Sequence, residues 1–414
     1  MVLLCFFSIF ICYIDRVNIS IAIIPMAKQF GWTDTQRGFV LSSFFAGYMV
    51  TQLLGGTLAA RFGGKVVLGF GVVWWSLFTL FTPLSAMASF PILIATRIAM
   101  GVGEGVAFPA TYNLLGRWVP VLERSRSASF NLSGIPIGTL FAVTVSPWVV
   151  VNYGWPAIFY LFGVFGLIWF AFWWRLGGDR PAIAVDDGPA DQDSADQDLT
   201  VTSPAPEAEL SPRTPWRRIL SHKGVWAIII AHFCNNWGLF VLLSWLPSYF
   251  SSQLGVNLGA VWLYVAPPWI ANFLGANAAG WLADRMIARG WPVTRVRKLM
   301  QTIGFAGPAA ALITLATVDD AFTALILLTI TLGLCAGSYA GFASNHLDIS
   351  PPHAGVLYGI SNTTASIPGI VGVALTGYLV DHTGSYASAF YVTAGVYLFG
   401  LAVYLLLGTS RRLI

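Results

Sequence analysis

The sequence of 414 residues is 56% hydrophobic, 14% aromatic and only 10% charged, and its mean hydropathy is +0.71. A soluble domain carries about 25% charged residues, so this chain cannot cover its own surface in water, which argues against a soluble enzyme. Its net charge of +4 comes in short clusters at the ends of apolar runs, where membrane orientation signals belong, and leaves no footprint for nucleic acid.

At roughly 20 apolar residues per span the chain has room for about a dozen helices. Runs broken by charge, Gly and Pro place them near 2–24, 36–60, 66–86, 91–117, 126–150 and 155–175, and then near 224–250, 259–284, 298–317, 321–344, 354–380 and 386–408. The first run holds Asp15 and Arg16 at its centre and is followed by further spans, so it reads as a first span and not as a cleavable signal. No targeting segment precedes it, and an organelle transit peptide would have to lie outside this sequence.

In the fourth run Arg97 and Glu104 stand seven residues apart, two turns on one helix face and about 10 Å of rise. The stretch Gly101–Gly105 beside them lacks the strand that precedes a nucleotide-binding loop and is expected to permit close helix packing. Trp155 and Trp216, near span ends, read as anchors at the membrane interface.

From 177 to 223 the composition changes. Nine of the 18 acidic residues fall there with hardly any large apolar side chain, so a disordered linker is expected, ending in a short basic surface helix around Trp216, Arg217 and Arg218. Cys5, Cys12, Cys234 and Cys335 lie inside apolar runs without CxxC or Cys/His spacing, so neither disulfide framework nor metal site is indicated. They read as small buried hydrophobes. His346 and Asp348 close the tenth run, as gate contacts or solvated groups.

If both ends share a side, the loops on that side hold 18 of the Lys and Arg residues, while the opposite loops hold only Lys28 and Arg37. The ends and the linker are therefore expected to face the cytosol or its organellar equivalent. The halves also rhyme: GGTLAAR at Gly55–Arg61 answers GWLADR at Gly280–Arg285, and Ser133–Pro136 answers Ser366–Pro368 in the same order at a similar offset. The fold expected is an all-α membrane protein of twelve transmembrane helices in two pseudo-symmetric six-helix bundles, 1–176 and 224–414, joined by the linker 177–223.

Four ionisable residues stand deep in these spans: Asp15, Arg16, Arg97 and Glu104. A charge at the bilayer centre costs roughly 2.5 to 3.5 kcal/mol on insertion scales, so it persists where it lines a polar cavity and has a partner. Arg16 is the expected anion ligand, because a guanidinium stays charged and can grip a carboxylate or phosphate through two parallel hydrogen bonds. Asp15 and Glu104 are the expected proton carriers, since burial and a neighbouring guanidinium pull a carboxylate's proton affinity in opposite directions, with Arg97 trading its pairing to Glu104 as protonation changes. The weaker alternative is a static salt-bridge cluster that only locks the helices. Tyr48, Asn236 and Asn362 are candidates to complete the substrate pocket, or else make ordinary interhelical hydrogen bonds.

The loop GGTLAARFGGK at Gly55–Lys65 resembles the signature that follows the second span in the major facilitator superfamily. It departs at Ala60, where that signature has Asp; the acid stands instead in the second-half copy as Asp284. RIAMGVGEGVAFP at Arg97–Pro109, DRVNIS at Asp15–Ser20 and NHLDI at Asn345–Ile349 resemble the anion:cation symporter branch, which includes sialin, vesicular glutamate and nucleotide carriers, plastid phosphate transporters and bacterial sugar-acid carriers. WWSL at Trp74–Leu77 and HFCNNW at His232–Trp237 are most similar to the plastid phosphate transporter group, whereas Leu41 and Asn235 stand where the vesicular glutamate group has His and Arg.

The resemblance covers all twelve expected spans. It implies a secondary active transporter and not an enzyme, moving a phosphate- or carboxylate-type anion by alternating access with protons or sodium as coupling ion and no cofactor. It implies the roles already given to Asp15, Arg16, Arg97 and Glu104, and gating by Arg61, Lys65, Asp284 and Arg285. The expected partners are a small anionic substrate and the lipid bilayer, with a monomer as the assembly and a plastid or other organellar membrane as the location, plasma and endomembranes remaining open. An intramembrane enzyme, channel or receptor is the alternative, against which none of the five histidines forms a set with a nucleophile.

Overall fold

The computed structural model describes residues 1–119, 123–179, 216–350 and 354–412, and every regular element in them is a helix. The first group comprises α1 (Val2–Phe30), α2 (Asp34–Phe62), α3 (Gly64–Ala88), α4 (Phe90–Glu104), α5 (Ala107–Trp118), α6 (Arg124–Leu132), α7 (Gly134–Tyr153) and α8 (Trp155–Leu176). The second comprises α9 (Trp216–Ser221), α10 (Lys223–Ser248), α11 (Trp262–Ala288), α12 (Val293–Leu315), α13 (Ala321–Cys335), α14 (Ser344–Ile349), α15 (Ala354–Thr364), α16 (Ile367–Thr383) and α17 (Ala387–Leu407). A π-helical turn, Tyr249–Gln253, continues α10, and another, Tyr339–Ala343, leads into α14.

Local chemistry sets these boundaries. Gly31 closes α1 in the left-handed conformation at φ 66°, which costs glycine no Cβ clash. Thr33 opens α2 through a capping box with Gln36, and Ser89 accepts from Ile92 N to start α4. Asp320 caps α13 by accepting from Thr323 N at 2.8 Å, and these backbone bonds hold its carboxyl below the usual carboxylate range.

Ten helical stretches among the described residues are long and apolar enough to cross a membrane, and the bent pair Asp34–Gln52 and Leu54–Phe62 makes an eleventh. The ninth expected span, near 298–317, is the helix α12, which falls outside that set. Four spans join two α-helices across a break: Phe90–Trp118 joins α4 to α5, Ser127–Tyr153 joins α6 to α7, Ala321–Ile349 joins α13 to α14, and Val356–Thr383 joins α15 to α16.

Helices of the first group pack chiefly on one another, α1 on α7 and α8, α2 on α4, and α3 on α4 and α8. In the second group α10 packs on α15, α16 and α17, α11 on α13, and α12 on α13 and α17. The seam between the groups is made by α2 on α16, α7 on α11 and α1 on α10. Close approach needs small residues: a Cβ on Gly47 would strike the carbonyl of Ile98, and one on Gly101 that of Phe44. Gly101 thus does what its glycine-rich stretch suggests.

Most of the expected linker, 180–215, lies outside the described residues, as does the Trp216 side chain. At the near end of the linker the Asp179 carboxylate accepts from Lys65 N at 2.8 Å. Trp155 is not an interface anchor: it is buried, and its indole donates to Gln29 Oε1 at 2.7 Å.

Candidate functional site

Helical spacing brings the four intramembrane charges together. On α1, Cys12 and Arg16 lie one turn apart; on α4, two turns separate Arg97 from Glu104. Asp15 and Glu104 are wholly buried, and Arg16 and Arg97 are 6% and 1% exposed. Arg16 Nη2 and Nε donate to Glu104 Oε2 at 3.0 and 3.3 Å, and the Cys12 thiol donates to the same oxygen at 3.1 Å. An aromatic cage surrounds the guanidinium, with ring centroids of Tyr48, Tyr13 and Phe44 at 4.6, 4.8 and 5.0 Å from its carbon. Such cation–π contacts are worth about 2 kcal/mol or more when desolvated, so they hold the group where a hydrated cation would be lost.

This pairing differs from the expected one. Glu104 is partnered by Arg16, while Arg97 has no acid within ion-pair distance among the described residues. Arg97 instead donates to the Met100 thioether at 3.0 Å and lies 5.6 Å from the Phe44 ring, with its Nε unpartnered. Both Asp15 oxygens and Glu104 Oε1 are also buried without a hydrogen-bond partner. Arg97, Glu104 and the Trp75 indole are the groups that bear on Asp15.

A small cavity of about 10 Å³, room for about one water, lies at the seam, lined by Arg16, Ser20, Phe44 and Arg97 from the first group and by Leu243 and Ser244 from the second. Two guanidinium groups therefore face one space. Asp15 and Glu104 stand behind that wall. Toward the face that carries Lys65, Asp179 and Arg297, here called the basic face, Tyr358 of α15 comes near Tyr48 and Tyr112 of the first group. Tyr112 and Tyr358 are 45% and 50% exposed on that side.

The other expected residues divide. Tyr48 is part of the cage. Asn236 is buried, accepting from Asn235 Nδ2 at 3.3 Å and donating to Ala365 O at 3.1 Å. Asn362 is half-buried near the seam, where its carbonyl accepts from Ser366. Arg61, Asp284 and Arg285 are exposed and Lys65 is half-buried. The structure brings none of these four into an ion pair with another; the cations of Arg61, Lys65 and Arg285 lie over Phe62, Trp174 and Trp281. His346 is not solvated: it is buried and bonded to Ser361 Oγ at 2.8 Å, while Asp348 pairs with Arg297 at 2.7 Å. Cys12, Tyr13 and Phe44 are additions to the site. The first two were discernible as the residues one turn before Arg16; Phe44 on α2 was not.

A body of long apolar helices in two groups, with a charged cavity at their seam, defines a multi-pass membrane transporter. The Major Facilitator Superfamily profile matches residues 5–372, and the chain belongs to that superfamily. It is 45% identical over 413 residues to "Probable anion transporter 4, chloroplastic" of Oryza sativa subsp. japonica, covering 100% of this chain and 69% of the relative. It is 44% identical to the "Ascorbate transporter, chloroplastic" of Arabidopsis thaliana, covering 100% of this chain and 75% of that protein. To the "Sodium-dependent phosphate transport protein 1, chloroplastic" of Arabidopsis thaliana it is 43% identical, covering 100% and 79%. Among solved structures it resembles a bacterial homologue of the lysosomal transporter Spinster, at TM-score 0.79 and 16% identity over 98% of this chain and 95% of that one. A D-xylose–proton symporter gives TM-score 0.75 at 16% identity over 99% and 97%.

Proposed function

We propose that the chain is a secondary active transporter that carries a small anion of phosphate or carboxylate type through the seam cavity by alternating access, coupled to protons or sodium. The observation that carries this is the pair of guanidinium groups, Arg16 and Arg97, on one cavity inside an apolar body. Fixed positive charge in a low-dielectric cleft draws and holds negative solutes. The names of the relatives, an ascorbate and a phosphate transporter among them, support the anion class, and their chloroplastic location supports a plastid membrane.

Coupling follows from the sharing of Arg16. While Glu104 is ionised it occupies the guanidinium; a proton on Glu104 removes that partner and frees Arg16 for the anion, so the two ligands load together. Asp15, next to Arg97, offers a second acid for the same exchange, or the charge for a sodium ion. Tyr48, Asn236 and Asn362 would meet the rest of the substrate. Residues 1–176 and 224–414 would rock as two bodies, a single chain sufficing, and Arg61, Lys65, Asp284 and Arg285 would serve when the basic face closes.

Counterflow in proteoliposomes across a panel of phosphate, ascorbate, nucleotides and small carboxylates, with proton or sodium gradients imposed, tests the proposal. Saturable exchange of one or more anions is expected. Conductance without saturable exchange would contradict it.

A further inference from the structure

We infer that Arg37 is the gate residue on the face opposite the basic one, a latch that seals the anion cavity from that side and must release for the cavity to open there. The inference rests on the alternating-access proposal. Its geometry stands apart from the four buried charges.

Arg37 lies on the first turn of α2, is only 7% exposed, and joins three things at once. Its Nη1 pairs with Asp34 on its own helix, its Nη2 donates to Ser248 Oγ of α10 at 2.6 Å, and its guanidinium carbon lies 5.3 Å from the Trp245 ring centroid. Ser248 and Trp245 belong to the second group, so these contacts cross the seam. One turn inward on α2 is Leu41, and one turn inward on α10 is Ser244, both in the cavity wall. The latch therefore sits about 6 Å above the cavity, at 1.5 Å of rise per residue.

Neighbouring contacts close the same face. Thr35 Oγ1 donates to Asp381 Oδ2 of α16 at 2.7 Å, and a Cβ on Gly377 would strike the Asp34 carbonyl. Among these, Arg37 brings the one cation across the seam and Asp381 the one carboxylate. The arrangement also makes opening inexpensive. Asp34 travels with Arg37, so separation of α2 from α10 gives up the Ser248 bond and the indole face but never strips the guanidinium of its counter-ion. A lysine cannot serve all three partners, because its point charge lacks the planar fork.

The test uses the full-length protein in proteoliposomes with Ser244→Cys as reporter and a membrane-impermeant maleimide applied to each face, without substrate. Background labelling of the four native cysteines is taken from protein lacking the reporter. Arg37→Ala is expected to raise labelling from the opposite face about tenfold, the size expected for loss of a charge-assisted hydrogen bond, and to lower it from the basic face. Arg37→Lys and Ser248→Ala are expected to give smaller rises. Should Arg37→Ala fail to fold, Ser248→Ala decides, since it keeps the Arg37–Asp34 pair. Unchanged labelling in a folded Arg37→Ala protein, or in Ser248→Ala where only that folds, overturns the latch. Because labelling is read without any anion, it stands or falls separately from the transport proposal.

Discussion

On one side of the cavity, α1 and α4 bury two carboxylates and two guanidinium groups; on the other, α10, α14 and α15 bury neutral polar groups, most of them hydrogen-bonded within the second group. There Asn235 Oδ1 accepts from Ser338 at 2.6 Å, Asn236 donates to Ala365 O at 3.1 Å, and Ser361 joins His232 at 3.0 Å to His346 at 2.8 Å. None of these polar atoms lacks a partner, whereas both oxygens of Asp15, one of Glu104 and the Nε of Arg97 do. Buried polar groups left open are costly and mark places where something else must bind or where protons move. A satisfied network holds one shape. The α1–α4 cluster thus has the chemistry of a switch, and the network around Asn235, Asn236 and Ser361 that of a fixed wall against which it works.

The largest effects should come from breaking the charged side. Arg16→Ala or Arg97→Ala is expected to lower anion exchange at least a hundredfold while the protein still inserts, because each change removes a positive wall of the cavity, and Arg16→Ala also leaves the buried Glu104 without its partner, a penalty of about 3 to 5 kcal/mol. Exchange measured on vesicles with matched protein content checks this; near-native rates would remove the guanidinium pair from the mechanism.

On the neutral side, Asn235→Ala should cost about 1 to 3 kcal/mol of stability by removing the donor to Asn236 Oδ1 and one of the two acceptors of Ser338, read as a lower melting temperature in detergent, with exchange changed only a few-fold. A hundredfold loss of exchange there would erase the distinction between the two sides. Arg297→Ala, which removes the pair to Asp348 and a bond to Ala340 O at 3.0 Å, should cost about 1 to 3 kcal/mol, since the pair is mostly buried and the bond to Ala340 O is lost with it. The smallest effect is at Asp320. A cap whose carboxyl sits below its ordinary range stabilises above the unfolded value and loses that contribution as pH falls through the folded one. Asp320→Asn should flatten the acid limb of the melting curve.

Much of this contrast was legible in the sequence. Asp15, Arg16, Arg97 and Glu104 stood out because charge within an apolar run has few uses, and the run lengths placed the helices. What the sequence hid were partners. Glu104 lies 88 residues from Arg16, and nothing in the spacing of either helix says that Arg16, and not Arg97, would hold it. Arg37 read as a loop charge, since its partner Ser248 is 211 residues away. Cys12 read as a small hydrophobe until its thiol was placed against Glu104. His346 lay at a predicted span end, but the π-helical turn at Tyr339–Ala343 leads directly into α14, where its ring is held inside.

The central claim is that Glu104 and the anion compete for Arg16. It is tested most directly by comparing counterflow with gradient-driven accumulation in Glu104→Gln, whose neutral side chain mimics the protonated acid. Retained counterflow with loss of proton-driven accumulation is the expected result. Accumulation that persists at the native level, with the same response to an imposed pH gradient, would show that Glu104 has no part in coupling.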